Sequence, residues 1–455
     1  MIRWHQLKKR MRSHRDRNKN WAFIEFTGRN DWDSRLPLDA NSYFYPGVNA
    51  SVSLTDAIES LGSSKILSYA KLKAAWNKAG NVNAGIYSLE STFGVAGGFP
   101  YGSLPGFTAS NNINNPNIRP EIVESFEGGF ELSFLQSRVS LDATYYYQNN
   151  NDQIIPVGIS QATGYTSALL NAARFYNKGF EFDVRLTPLL KFGKFTWNFS
   201  GNLTTNDSKV QSVYEGLDEL SVGNTAYVIK GYPAYTHRLV DWLRDSATGK
   251  VIIDPLSGYP SQSPTSSIFG RTLPKYIIGL NTDLSWNGIG LKVVAEYRGG
   301  NYIYNAVGSA LGFTGIDHLS ATNARQRFVF PNSVYWDGSK YVDNNTIVVT
   351  NAHYDFLQAG RFRNTQTNYY TSAAFWKLRE VVLSYDLPQR WLANGKVIKK
   401  ASVALIGRNL VMLRPKTNEW TDPEFSNTTG NAIGTTDIGQ TPPTRIFGFN
   451  VNLTF

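Results

Sequence analysis

Polar and apolar residues alternate singly along many stretches of this chain. Near the end, Phe447, Phe449, Val451, Leu453 and Phe455 share one parity, and Gly448, Asn450, Asn452 and Thr454 share the other. Phe195, Trp197, Phe199 and Leu203 oppose Thr196, Asn198, Ser200 and Asn202, and Phe180, Phe182, Val184 and Leu186 oppose Glu181, Asp183 and Arg185. A period of two is the signature of a β-strand with unlike faces. Twelve strands are predicted, near 20–28, 43–54, 65–78, 121–135, 138–148, 176–187, 194–206, 274–286, 289–298, 373–386, 399–413 and 444–455. The strand near 373–386 changes phase: Trp376 and Leu378 lie on one parity, Val381, Leu383 and Tyr385 on the other. A bulge near Arg379–Glu380 would reconcile them.

The same alternation fits a half-buried soluble sheet or the wall of a transmembrane barrel, and the connections separate the two. Gln136-Ser137 and Asn287-Gly288 read as tight hairpin turns, and the links near 55–64, 188–193 and 387–398 are short. Between them lie long links near 79–120, 149–175, 207–273, 299–372 and 414–443. Short and long alternate. In an up-and-down barrel every second connection lies on one side, and outer-membrane barrels pair short periplasmic turns with longer external loops. A soluble sandwich gives no reason for such sorting. The predicted fold is all-β, an antiparallel transmembrane barrel, with Phe455 ending on the periplasmic side.

Composition narrows the function. Aromatic residues make up 14% of the 455, which suits interfacial girdles and argues against disorder. No run approaches the roughly eighteen apolar residues of a membrane helix. Cysteine is absent, which excludes disulfides and thiolate chemistry. His5, His14, His237, His318 and His353 are scattered without ligand spacing, and the last three fall in long links with no nucleophile motif. No catalytic, metal or cofactor-binding residue is assigned, and an enzyme is not expected. The net charge of +10 is local: eight cations against Asp16 give residues 1–20 a charge of +7 and leave +3 for the rest. Residues 1–19 read as a basic leader. They lack the apolar stretch of a signal peptide, and the strands carry no basic stripe for nucleic acid.

Several motifs in collinear order carry a family resemblance. They are Thr27-Gly28-Arg29-Asn30-Asp31-Trp32, Ser42-Tyr43-Phe44-Tyr45-Pro46, Asn115-Pro116-Asn117-Ile118-Arg119-Pro120-Glu121, Asp152-Gln153-Ile154-Ile155-Pro156 and Asn177-Lys178-Gly179-Phe180-Glu181. Gly407-Arg408-Asn409-Leu410, Thr421-Asp422-Pro423-Glu424 and Pro442-Pro443-Thr444-Arg445 follow. Together they resemble the barrel of SusC/RagA-type TonB-dependent transporters of Bacteroidetes, from about residue 21 to 455. The resemblance implies a large outer-membrane barrel closed by an N-terminal plug, a SusD-like surface lipoprotein that caps it, and energy from TonB. No plug or TonB segment is recognised, and plugged transporters of this size class have about 22 strands. The expectation is therefore the C-terminal part of such a barrel, with residues 20–455 as barrel and the TonB contact supplied by the missing N-terminal part.

The function expected is uptake of complex nutrients, glycans or peptides, through a gated lumen, by a truncated chain not competent alone. A passive porin or surface adhesin is the alternative. Lys71, Lys73, Asp142, Glu181, Asp183, Arg185, Lys292 and Glu296 are expected on the lumen wall, with no residue assigned to substrate. Phe455 is the candidate assembly signal, an aromatic at the rim where an insertion machine could add a strand. Tyr302, Tyr304, Tyr369 and Tyr370 are expected as exposed anchors for the lipoprotein.

Overall fold

The computed structural model describes residues 7–18, 21–90, 92–358, 360–392, 397–426, 433–439, 441 and 443–455, with side chains from residue 21 onward. Thirteen strands pair antiparallel in sequence order: β1 (Leu7–Asn18), β2 (Ala22–Asp33), β3 (Ser42–Ser53), β4 (Leu67–Asn81), β5 (Glu121–Phe134), β6 (Val139–Gly158), β7 (Ser167–Phe192), β8 (Phe195–Thr205), β9 (Tyr276–Trp286), β10 (Ile289–Gly299), β11 (Phe375–Asp386), β12 (Lys400–Leu413) and β13 (Ile446–Thr454). Short strands Asn112–Ile113 and Asp207–Val213 pair with the outer part of β7. No helix among the described residues is long and apolar enough to cross a membrane.

All twelve predicted strands are present, and β1 is added. It lies inside the segment read as a basic leader, and its backbone pairs with β2 from Leu7↔Asp33 to Asn18↔Ala22. Its cation-rich sequence offers no apolar parity from which to read a strand. Its side chains, residues 1–6, and Lys19 and Asn20 lie outside the described residues.

The register carries the alternation across the sheet. One row runs Phe449↔Leu405↔Leu383↔Leu291↔Leu284↔Trp197↔Leu190, from β13 to β7. The row beside it runs Asn450↔Ala404↔Ser384↔Gly290↔Ser285↔Thr196↔Lys191. Consecutive side chains point to opposite faces, so one face is a sheet of large apolar residues and the other is small or polar. The apolar face is open, with Phe449 79%, Phe447 76% and Leu405 65% exposed. Such a surface suits lipid and not water. The turns follow the sequence: Asn287 (φ 54°) and Gly288 (φ 87°) are both left-handed, as a two-residue hairpin of this twist requires.

The predicted bulge is also present. Pairing of β11 slips between Leu378 and Glu380 against β12, and between Val294 and Ala295 on β10. The extra residue, Arg379, lets both Leu378 and Val381 keep to the apolar face. Lys377 and Glu380, paired with Glu296 and Val294, then share the polar face.

Dry cores lie on the strand extensions and links, not within the spanning sheet. One cluster joins Ile155, Val157, Ala172, Ala173 and Phe175 of β6 and β7 to Val210, Leu220 and Val228. This corrects the long link expected near 149–175. β6 and β7 run for 20 and 26 residues, so only 159–166 remain as a connection. A spanning strand needs about 9–11 residues, and the surplus rises above the sheet to be buried by the next link.

An arginine on the apolar face should be costly where the neighbouring polar row tolerates one. Val381→Arg, near the middle of β11, is expected to lower the stability of the inserted sheet by about 2–4 kcal/mol, and Val382→Arg on the polar face by about 1 kcal/mol or less. Urea unfolding in liposomes, or heat-modifiable gel migration, reads the difference.

Candidate functional site

The polar face gathers charged side chains into two groups. On β4–β6, Lys71 meets Glu131 at 3.3 Å, and Lys73 lies 2.7 Å from Asp142 and 3.9 Å from Glu131. These pairs border a recess of about 420 Å³ that Lys71, Lys73, Glu127 and Glu181 line. The sequence-predicted Lys71, Lys73, Asp142 and Glu181 thus converge, and Glu131 and Glu127 were missed. Asp183 and Arg185 share the strand with Glu181 but stay exposed, and none of the three has an ion-pair partner among the described residues.

The second group centres on the bulge. Arg379 reaches Glu296 at 2.8 Å and Glu424 at 2.6 Å, and Arg298 reaches Glu424 at 3.3 Å and also pairs with Glu296. Lys377, 5% exposed, pairs with Asp422 at 2.5 Å and with Glu424. Lys292 approaches Glu380 at 3.7 Å, and Glu380 takes Arg408 at 2.9 Å. Three cations meet three carboxylates around Glu424, so the centre is neutral overall. Burial raises the Glu424 carboxyl, but hydrogen bonds from Arg379 and Lys377 outweigh it and bring it down to about 2. Sequence reasoning found Lys292 and Glu296. The motif Thr421-Asp422-Pro423-Glu424 was visible, yet nothing in it told that its acids fold back onto β11.

Above the sheet three links are stitched together at His237, which is fully buried. Its Nε2–H donates to the Tyr302 carbonyl at 3.2 Å, which leaves Nδ1 to accept from the Thr225 hydroxyl at 2.9 Å. Thr225 in turn lies 3.3 Å from the Thr435 hydroxyl. Links 206–275, 300–374 and 414–445 therefore share one hydrogen-bonded centre. Tyr370 packs edge-on against His237 at 5.7 Å and stacks on Tyr302 at 5.0 Å. Burial holds the imidazole down to about 4 against the raising effect of the Tyr302 bond.

The tyrosines expected as exposed anchors are corrected by this arrangement. Tyr369 is 1% exposed and packs on Trp420 and Phe362. Tyr370 accepts from the Gly270 amide, and Tyr304 is half-buried. Only Tyr302, at 39%, is open. These rings build the core of the links, because a long link must bury apolar surface of its own to be ordered. Phe455 is 68% exposed just past β13, and its carbonyl accepts from Lys399 at 3.3 Å.

Known proteins resemble this chain in sequence and in fold. A model of the outer membrane protein beta-barrel family matches residues 108–237. TonB-dependent receptor P26 of Formosa agariphila is 24% identical over 473 aligned positions, covering 96% of this chain and 45% of that protein. TonB-dependent receptor SusC of Bacteroides thetaiotaomicron is 22% identical, covering 63% of this chain and 30% of that one. In fold, the chain resembles the RagAB peptide importer in its closed-closed state, with a TM-score of 0.76 and 20% identity, over 99% of this chain and 48% of that one. In sequence the chain is similar to TonB-dependent receptors, SusC among them, and in part to the outer membrane protein beta-barrel family. It spans less than half the length of each of these relatives.

Two outcomes are expected. Lys377→Ala strands Asp422 without its cation and should weaken docking of link 414–445 by about 3–5 kcal/mol, seen as faster proteolysis within that link. His237 stays neutral when folded but gains a proton above pH 4 when unfolded. Stability of the stitched links should therefore fall as pH drops from about 6.5 to 4, by up to ~3 kcal/mol. Hydrogen exchange across 225–239, corrected for intrinsic rate, should show this fall, and His237→Gln should remove it.

Proposed function

We propose that this chain forms wall and outer loops of an outer-membrane importer of complex nutrients, glycans or peptides. TonB supplies its energy, and a SusD-like surface lipoprotein sits on the outer links. The observation that carries the reading is the two-faced sheet: an open apolar face opposite a polar face with recesses and paired charges, in a chain whose relatives are TonB-dependent receptors. The ion pairs keep the wall hydrated yet nearly neutral, which suits passage of uncharged sugars or zwitterionic peptides. A passive pore would share the sheet but not the energy requirement.

The edges of β1 and β13 stand at the two ends of the strand order. In lipid their free N–H and C=O groups must be paired, at several kcal/mol for each one left open. We take them to be completed by further strands or by one another. Phe455, exposed beside the β13 edge, is the handle proposed for insertion, and Phe455→Ala is expected to lower outer-membrane yield.

Trp336 and Tyr341 are the preferred contact for the lipoprotein. They pack edge-on at 5.2 Å on the hairpin Ser333–Asp343, and both remain exposed, at 49% and 40%. The test follows uptake of labelled oligosaccharide and of labelled peptide by cells with and without the gene. Uptake lost on deletion and abolished by a protonophore is expected, and Trp336→Asp should release the lipoprotein in a pull-down. Protonophore-insensitive flux would favour the porin, and uptake unchanged by deletion would refute transport.

A further inference from the structure

Link 300–374 contains a cleft that the transport reading leaves unused. It has a volume of about 410 Å³ and is walled by Leu319, Phe328, Phe330, Phe356, Leu357 and Phe362. That size lies within the usual range for small-ligand sites, roughly 300–1,000 Å³. The floor is rigid: Phe356 is 3% exposed and belongs to a core cluster with Tyr259 and Val349. Phe328, Phe330 and Phe362 meet Phe356 at 5.5, 6.0 and 5.4 Å. Each of these three wall rings is half-buried, and Phe330 and Phe362 also pack on Trp242. Thr322 and Asn323, both exposed, bring the cleft to the surface.

The chain beside the mouth carries two cations. Arg325 and Arg327 lie on the segment joining Asn323 to Phe328, which both line the cleft. Residues 318–336 contain no Asp or Glu, and among the described residues no carboxylate pairs with Arg325 or Arg327. Arg325 donates from Nε to the Ser320 carbonyl at 3.3 Å, which leaves its two terminal amino groups for a ligand, whereas Arg361 lies over Tyr259 at 4.5 Å and Arg363 over Phe313 at 4.9 Å. The backbone here is strained as well. Asn323, Ala324 and Arg325 have φ of 54°, 51° and 61°, three successive left-handed residues without a glycine. Such conformations persist where the surroundings enforce them, and they cluster at binding sites.

We propose that this cleft binds an apolar group that carries a carboxylate. The apolar body displaces water from the phenyl walls, and the carboxylate takes charge-assisted hydrogen bonds from Arg325 and Arg327. A sugar is disfavoured, since beyond the mouth every lining side chain is apolar and would leave its hydroxyls without partners. Two sources present this chemistry: the C-terminal apolar residue of a peptide, and a free medium-chain fatty acid. Binding to the purified chain goes beyond the import reading and can fail or succeed independently of it.

The full chain in lipid nanodiscs is titrated by calorimetry, with empty nanodiscs subtracted. The probes are acetyl-Ala-Ala-Leu with a free carboxylate, the same peptide as its C-terminal amide, and octanoate. The free acid is expected to bind about tenfold or more tightly than the amide. Arg325→Ala with Arg327→Ala, both at exposed positions, should bring the acid down to the level of the amide and leave the amide unchanged. Thr322→Trp, which fills the mouth, should weaken every probe. Binding of peptide acid alone assigns the chain end, binding of octanoate alone assigns the free acid, and binding of both supports the shared chemistry. Equal affinity for acid and amide, no binding of either acid, or wild-type affinity in the double arginine variant overturns the proposal.

Discussion

A β-strand that crosses a bilayer meets hydrocarbon on one face and water on the other, and its backbone finds partners only in neighbouring strands. The rest of this structure depends on that constraint. It explains why Phe449, Leu405, Leu383 and Leu291 form one row while Asn450, Ala404, Ser384 and Gly290 form the next. It explains why, among the described residues, the dry cores gather on strand extensions and links. It also explains why the ion pairs deep in the sheet, Lys73 with Asp142 and Arg379 with Glu296, stand on the watered face, while Lys78 and Glu124 take the apolar parity only toward the outer ends of β4 and β5.

The bulge at Arg379 shows how the wall and the outer links are joined. Without it, the apolar side chains of β11 would change face midway. With it, Lys377, Arg379 and Glu380 are all available to the polar side. Lys377 and Arg379 capture Asp422 and Glu424, pinning link 414–445 against the sheet. The same link reaches His237 through Thr435. The outer links therefore rest on the wall through buried charge and on one another through a buried neutral imidazole. A buried ion cluster of this kind gives position more than net stability, which suits links that must hold a fixed outer surface.

Much of this was legible because alternation and turn chemistry are local. Val139 to Tyr145, Phe195 to Leu203 and the Asn287-Gly288 turn each state their structure in a few residues. The phase change between Leu378 and Val381 located the bulge. The sequence was silent where structure is non-local. Leu7–Asn18 carries no apolar parity, so its strand could not be read. The extensions of β6 and β7 contain Asn149, Asn150 and Asn151, which read as loop, and they are strands because the next link covers them. Tyr369 and Tyr370 read as exposed because polar-aromatic composition does not tell which rings a link folds around itself. Asp422 and Glu424 came into view only as a motif, since their cations lie about 45 residues earlier on β11.

The central claim is that the two parities meet two solvents, and the absence of cysteine makes it directly measurable. Single thiols placed by Leu383→Cys, Ser384→Cys, Ala404→Cys, Leu405→Cys, Phe449→Cys and Asn450→Cys would each be the only one in the protein. Each is spin-labelled in reconstituted membranes, and its accessibility to a lipid-soluble and a water-soluble relaxing agent is compared. The account predicts that 383, 405 and 449 respond to the lipid-soluble agent, and 384, 404 and 450 to the water-soluble one. Accessibility that does not alternate with residue number, or that alternates in the opposite sense, would contradict it.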